Sequence, residues 1–434
     1  MRQPTKRTRA IRNRVETIHR QLDIPIAITI AKMADRGLCI DIDELIRLEQ
    51  DHIKKMRIAL QDCKNVGIWA NPSSPKQMMQ NFIELGLDTG RWGKQNEKGE
   101  RIMSTGRDAL LDLVEQNSYA HMYAEPLLRY RKSKKFKGQY IKGMARSTFK
   151  DPHINRHIIK GNFLWPGTNT WRPSCKKPNL LNLPRTGFRT CIVSRYDKGH
   201  IIKADYGQLE LRVLASLSKD PVMLKIYMDG LDIHGTTATQ FYGPRYTKDE
   251  RSRAKGVNFG VVYGASARRI RDELRKDDVV MTLEEAEEWL AVWRKTYKVA
   301  WSYMMNLQRA AMKFWRVKAP SYDVVRRFDL AAGKRMDEIA REGANMPIQA
   351  GAALMTARAA EKFENKSENI LYEKGILVNL IYDELVVDAP DDGHWAAKTM
   401  VSAMLEAAEE EPWFIVPAEV DAEIGPSWGN TKKV

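Results

Sequence analysis

Two groups of residues have the types and spacing to do chemistry. Asp205 ends a short apolar run, Ile201 to Ala204, and Asp383 with Glu384 separates two more, Ile376 to Tyr382 and Leu385 to Ala389. The first run reads as a strand, and two such runs joined by two residues read as a tight hairpin. If the strands are neighbours in one sheet, three carboxylates meet at its end. Acids that close together repel one another unless cations neutralise them. Oxygen-only ligands favour a hard ion such as Mg²⁺. Two such ions, roughly 3.5–4 Å apart, can clamp the attacking and leaving oxygens of a phosphoryl transfer. Taken singly, each acid reads better as an ordinary strand-end or turn residue.

The second group is a row. Arg251, Lys255, Phe259 and Tyr263 recur every four residues, so on a helix they share one face and span about 18 Å. Two cations followed by two rings could match a triphosphate followed by a base. Gly256, Gly260 and Gly264 form a second row. Each glycine costs a helix about 1 kcal/mol relative to alanine, so the row needs a reason. Close approach of a backbone, a base pair or a moving neighbour supplies one. Helix packing through small residues explains the glycines too, but not the order of cations and rings.

The elements that must position these groups follow from periodicity. Helical spacing of Leu45, Leu48, Ile53, Met56 and Leu60 predicts an amphipathic helix from Asp41 to Leu60, with Asp41 as its cap. Asn71 to Pro75 is a turn and helix-start signal, Lys76 to Leu85 the helix, and Gly90 to Gly99 an exposed loop. Helical patterns run from Gly106 to about Met144, Gln208 to Leu217 reads as a helix, and a largely helical block runs from about Thr236 to Ala360. Ala418 to Ile424 looks like one more strand. Strands thus cluster in two distant regions with helices between and before them, which predicts an α+β chain.

Composition narrows the class of function. The chain has 434 residues, 43% hydrophobic and 29% charged, with a formal charge of +16. That length suggests two or three lobes, and the charge favours a polyanionic partner, nucleic acid first. Met1 to Arg20 is Arg-rich and has no apolar core, so it reads as a basic arm that touches phosphate or, equally, as a solvated tail. Between Arg129 and Lys142 the cations Arg129, Arg131, Lys132, Lys134, Lys135, Lys137 and Lys142 are interleaved with Tyr130, Phe136 and Tyr140, a pattern suited to phosphates and to sugars or bases. No apolar stretch approaches the ~18 residues of a membrane span. The four cysteines form no C-x-x-C pair, which points to a reducing compartment. His153 and His157 lack the glutamate of H-E-x-x-H, and no P-loop motif occurs.

Together these segments resemble the three signature motifs of family A DNA polymerases. Asp205-Tyr-Gly-Gln-Leu-Glu-Leu-Arg212 is similar to D-Y-S-Q-I-E-L-R, Arg251 through Gly264 to R-x-x-x-K-x-x-x-F/Y-G-x-x-Y-G, and Asp383-Glu-Leu-Val386 to H-D-E-L-V. Thr170-Trp-Arg172 with Pro178 to Asn182 resembles T-G-R-L-S-S with P-N-L-Q-N, Asp232-Ile-His234 the family's D-I-H, and Arg341 with Asn345 to Gln349 resembles R-x-x-x-N-x-P-x-Q-G. Asn71 to Gln77 resembles N-x-S-S-x-K-Q of the thumb. The similarity covers roughly residues 22 to 430.

The resemblance implies a right-hand polymerase fold with an antiparallel palm sheet, helical fingers and a helical thumb. Its parts would be a basic arm at 1–21, a thumb with the lead into the palm at 22–160, palm at 161–232, fingers at 233–345 and palm again at 346–434. It implies DNA-templated extension of a primer 3′-hydroxyl with dNTPs and release of pyrophosphate. Asp205 and Asp383 would hold two Mg²⁺ ions, for which Mn²⁺ could substitute, with Glu384 a supporting acid. Arg251, Lys255 and His234 would hold the triphosphate, with Lys255 protonating the departing pyrophosphate. Phe259, Tyr263, Gln208 and Glu210 would also line the nucleotide site, Glu210 closing over the sugar 2′ position. Arg172, Asn179, Asn182, Arg341, Asn345 and Gln349 would face primer–template DNA, as would Lys135 and Lys137. The partners implied are primer–template DNA and dNTPs, with a separate exonuclease or replisome subunit admitted, no membrane, and a monomeric state in a bacterial or phage-infected cytoplasm. Only about twenty residues precede the similarity, so no proofreading domain is expected.

The pattern is not followed everywhere. Tyr382 stands where the family has His, Gly207 where it has Ser, Leu181 where it has Gln, and Trp171 and Pro173 alter T-G-R-L. None of these removes an implied metal ligand. A single-subunit RNA polymerase or reverse transcriptase is opposed by Glu210 and the second motif. A catalytically silent DNA-binding protein is opposed by Asp205, Lys255 and Asp383.

Overall fold

A computed structural model describes residues 19–93, 101–275, 279, 281–329, 333–368 and 374–434. The expected basic arm lies almost wholly outside them, as does most of the Gly90–Gly99 loop. The chain divides into two compact units.

The smaller unit comprises Cys39–Ile159 and Leu183–Ile192. Asp41 starts helix α1 (Ile42–Asn65) by accepting a hydrogen bond from the Glu44 amide at 3.0 Å. The apolar stripe buries Leu45, Leu48, Ala59 and Cys63. Ser74 caps the helix Pro75–Glu84, whose first residue is a proline with no amide to satisfy. Helix α2 (His121–Lys135) packs along α1 and continues into a wide helical turn, Phe136–Lys142. Met78, Phe82, Leu110, Leu113 and Leu127 fill the core beneath. A short hairpin, Thr148–Asp151 with Arg156–Ile159, is an element the periodicity does not announce.

The larger unit contains Lys160–Asn182 and Val193–Val434, together with the described residues up to Leu38. Its centre is strand β1 (His200–Tyr206), which runs directly into helix α3 (Leu209–Ser218). Gln208 makes that corner in the left-handed region at φ 55°. Helices α4 (Ile233–Tyr242) and α5 (Lys248–Val262) follow, and further along lies the long helix α6 (Met336–Glu368). Strands β2 (Ile376–Ile381) and β3 (Glu384–Ala389), helix α7 (His394–Glu409) and strand β4 (Val420–Ser427) complete it. The strands are ordered β2-β3-β1-β4 and all pairings are antiparallel. Distant segments thus assemble one sheet, as the α+β reading requires.

Alternation along β1 separates two faces. Ile202, Ala204 and Tyr206 join Leu385, Val387 and Ala422 in a core shared with Met400 and Met404 of α7 and Leu354 and Met355 of α6. The Tyr206 hydroxyl donates to the Met404 carbonyl at 2.5 Å. On the opposite face Lys203 pairs with Glu423 at 3.0 Å. That face is the one on which Asp205 stands.

Two expectations need correction. The hairpin loop is Tyr382–Asp383, not Asp383–Glu384: Glu384 already pairs with Ile381 in the ladder. Tyr382 turns the chain at φ 54°, a role usually left to glycine or asparagine. The block from 236 to 360 is also not continuously helical. Trp315 ends a helix in the left-handed region at φ 53°, and a hairpin, Arg316–Lys318 with Val325–Arg327, follows it. The four cysteines are buried and none is in a disulfide. Among the described residues no helix is long and apolar enough to cross a membrane.

Candidate active site

The site is built on the end of β1. Asp205 is in register with Glu384 on β3 and with Asp421 on β4. Residues paired directly across antiparallel strands share a face, so these three acids project from the same side of the sheet. The amide of Tyr206 donates to the Asp383 carbonyl at 3.2 Å, which ties the hairpin tip to the strand end. The Asp383 and Asp205 carboxyls hydrogen-bond to each other. Burial first, and then the charge of Glu210, push the Asp383 pKa up to about 6, while Arg172 and the bond to Asp205 oppose the rise.

Two neighbouring carboxyls, one of them disfavoured as an anion by burial and by a nearby charge, form a donor set that a divalent cation would complete. Their oxygens are of the kind Mg²⁺ takes. The residues present therefore fit the metal implied for them. Among the described residues no three His, Cys, Asp or Glu side chains form a metal cage. The anticipated gathering of three acids is thus a pair, with Glu384 directly opposite Asp205 in the ladder.

A second cluster adjoins the pair. Glu210, in the first turn of α3, is only 6% exposed, and its carboxylate accepts from the Arg172 guanidinium. Tyr263 stands beside Glu210 and Arg172, and desolvation followed by the charge of Glu210 raises its pKa. Arg172 also stands over the Tyr382 ring at 5.2 Å. Arg172 is held by a tight loop: its amide donates to Thr168 Oγ1 at 3.1 Å and its carbonyl accepts from Gly167 at 3.0 Å. Trp171 just before it has φ 59°, a conformation glycine adopts freely, and glycine is what the motif carries at this position. Trp171 packs edge-on to Trp165 at 6.3 Å. The motif's other residues have structural work. Arg212 donates to Glu419 at 2.5 Å and to the carbonyls of Gly207 and Pro417, and Gln208 accepts from Tyr227 at 3.2 Å.

The cation row lies on α5 as its spacing requires, with Tyr263 just past the helix end. Thr247 and Glu250 form a reciprocal capping box that fixes where the helix starts. Arg251 donates to Asp232 at 2.6 Å, and Asp232 also caps α4 by accepting from His234 and Gly235. Lys255 is exposed and makes no ion pair among the described residues. His234 is 2% exposed, its Nδ1 lies 2.9 Å from Asn258 Nδ2, and its ring centroid is 5.7 Å from that of Phe259. Burial holds its pKa down to about 4, against the pull of Asp232. His234 is therefore neutral near pH 7, and since Asn258 donates to Nδ1, its proton sits on Nε2.

The glycine row has the plainer explanation. A Cβ at Gly256 would lie 2.0 Å from Leu274, and one at Gly260 would lie 2.6 Å from Ile270. Both neighbours belong to the helix Ala267–Leu274 that packs on α5. Gly264 turns the chain at φ 64° beside Arg341. Arg341, Asn345 and Gln349 follow one another at four-residue spacing on α6, and Asn345 donates to the Tyr263 carbonyl at 2.9 Å. Asn179 and Asn182 are exposed, Asn179 also accepting from the Leu181 amide at 3.0 Å. Lys135 and Lys137 belong to the smaller unit.

Three contributors escape a reading by motif. Asp421 is visible only once β4 is placed beside β1. Tyr382 looks like a loss of histidine until its ring is found beneath Arg172. Asp232 joins the cap of α4 to the cation row.

A profile described as DNA polymerase family A matches residues 42–430, and the chain belongs to that family. It is 30% identical over 433 residues to the thermostable DNA polymerase I of Thermus aquaticus and 28% identical over 428 residues to DNA polymerase I of Bacillus subtilis. These alignments take in 96% and 95% of this chain but 49% and 46% of those proteins. The chain thus spans about half the length of the curated relatives it matches. Among solved structures it resembles the POL domain of Pol1 from M. smegmatis, in complex with DNA primer-template and dNTP, with a TM-score of 0.80 at 24% identity over 95% of this chain and 71% of that one. The α+β polymerase fold implied by the motifs is the fold observed.

Proposed function

We propose that this chain is a DNA-directed DNA polymerase that adds dNTPs to a primer 3′-hydroxyl and releases pyrophosphate. The observation that carries this reading is the adjacent carboxyl pair Asp205 and Asp383, half-buried at a strand end and the adjoining hairpin tip. Residues 40–155 would serve as thumb, 233–345 as fingers and the sheet-bearing remainder as palm.

Asp205 and Asp383 would hold two Mg²⁺ ions, with Glu384 adding negative potential from the same face, where Asp421 is already paired with Lys433 at 2.8 Å. Bound there, the ions lower the pKa of the primer hydroxyl and offset the charge of the triphosphate. The chain's own residues do the rest. Arg251 and Lys255 bind phosphate oxygens, and Lys255 donates a proton to the departing pyrophosphate. His234 offers its Nε2–H as a neutral donor. Phe259 packs on the incoming base, and Tyr263 lies beside the nascent pair. Glu210, fixed by Arg172 with Tyr263 beside it, fills the space a 2′-hydroxyl would need. Arg341, Asn345, Gln349, Asn179 and Asn182 contact primer–template, as do Lys135 and Lys137. Template pairing supplies the sequence, so phosphate and shape contacts suffice.

Primer extension tests this reading. With Mg²⁺, dNTPs and a DNA template the chain extends the primer, while rNTPs or an RNA template support far less. Asp205→Ala and Asp383→Ala each lower incorporation by about 10³-fold, the scale of losing a main electrostatic contributor. Undiminished incorporation by either variant would refute the assignment.

A further inference from the structure

The smaller unit carries a cleft that no step above uses. Helices α1 and α2 and the loop at Thr186–Gly187 line it, and its volume is about 470 Å³, inside the range of about 300–1,000 Å³ found for small-ligand sites. Two stacked rings form part of its wall: His52 and Phe136 have centroids 4.2 Å apart and planes within 16° of each other. Gly187 makes room for them. It has φ 90°, and a Cβ there would lie 2.9 Å from Phe136 Cζ. Leu48 and the half-exposed Ile58 add apolar surface.

The charges around the cleft are lopsided. Lys55, Arg129 and Lys132 line it, against the single acid Asp51. Asp51 holds Lys55 at 2.6 Å. Arg129 reaches Asp62 at 2.8 Å and Glu125 at 3.1 Å. Lys132 is exposed and makes no ion pair among the described residues. One polar atom is also unserved: His52 Nδ1 is closed off from solvent and makes no hydrogen bond within the protein. Native proteins seldom leave a buried polar atom so. Burial, with Lys55 beside it, pulls the His52 pKa down, so the ring is neutral at pH 7.

A flat ring pair and a surplus of cations suit one ligand chemistry, a heterocycle joined to a phosphate. We propose that this cleft is a nucleotide subsite, in which a base packs against the His52–Phe136 pair and its phosphate lies against Lys132, with Lys55 and Arg129 flanking. The nucleotide could be free or one unit of a single strand. A lone phosphate would leave the rings without a role.

The test reads binding, in EDTA so that no incorporation occurs. The probes are a dT8 strand carrying 4-thio-thymidine and the free mononucleotide 4-thio-dTMP, each photocrosslinked to the whole chain and mapped by peptide mass. Crosslinks are expected on the peptides that contain His52 and Phe136. Phe136→Leu, which keeps bulk but removes the ring, and Lys132→Glu should each cut that yield at least fivefold, while Lys255→Ala leaves it unchanged. Capture of the mononucleotide points to a free nucleotide, and capture of dT8 alone to a strand. Either outcome supports the subsite. Crosslinks confined to other peptides, or a yield unmoved by Lys132→Glu, would overturn it. Lys132 is exposed, so its variant keeps the test valid should Phe136→Leu unfold. Because extension activity is not the readout, failure here leaves the polymerase reading standing, and the reverse holds too.

Discussion

Glu210 illustrates how much one side chain can settle. It is buried and held by Arg172, with Tyr263 beside it. A carboxylate so placed costs stability unless its partner stays, so its retention points to work at the site. With Glu210→Ala, ribonucleotide incorporation is expected to rise relative to deoxynucleotide by about 10-fold or more, the scale of removing one unfavourable steric and polar contact. Single-nucleotide incorporation with dCTP and CTP on the same primer–template measures the ratio. An unchanged ratio would remove Glu210 from sugar selection. Phe259, in a position where some relatives carry Tyr, should leave dideoxynucleotides poorly accepted, and chain-termination efficiency with ddNTPs in primer extension reads this directly. Efficient termination would contradict it.

At the level of elements, the pairing of α4 with α5 sets a pH limit. His234 is buried between them with its pKa near 4, against about 6.5 in an unfolded chain. The folded state thus keeps His234 neutral where the unfolded state binds a proton. Nothing is lost above pH 6.5, and stability falls as the pH drops from 6.5 towards 4. The full loss is roughly 3–4 kcal/mol. Urea unfolding at pH 7.5 and pH 5 should show a smaller drop for His234→Gln than for the parent, and equal drops would contradict the argument. The helices and strands themselves were largely readable. Asp41, Ser74 and the row from Arg251 to Tyr263 announce their elements through caps and four-residue spacing. The hairpins at 148–159 and 316–327 did not announce themselves, because strands of three or four residues are too short for alternation to register. The glycines of α5 were ambiguous for another reason: a small residue is demanded equally by a helix neighbour and by a ligand, and only the presence of Leu274 and Ile270 decides. Asp421 was illegible because strand order, not local sequence, sets it beside Asp205.

Taken as a whole, the molecule carries 71 Lys and Arg against 55 Asp and Glu. A DNA partner bound mainly through phosphates releases counterions, so affinity must fall steeply with salt. Primer–template affinity, read by anisotropy, is expected to drop by about 10³-fold between about 50 and 200 mM salt. A nearly flat dependence would mean that the positive charge serves some other purpose.

The two-residue tip at Tyr382–Asp383 has a consequence for the history of the chain. Strand β2 already carries a bulge between Leu377 and Asn379, but β3 pairs with β1 without one; strand periodicity is two, so inserting or deleting one residue within β3 would turn the side chains on one side of that point to the opposite face. A longer tip would lift Asp383 away from Asp205. Surface loops elsewhere can grow or shrink at little cost. Descendants that keep this chemistry are therefore free to differ in length at many places, but between positions 382 and 389 they must count the same.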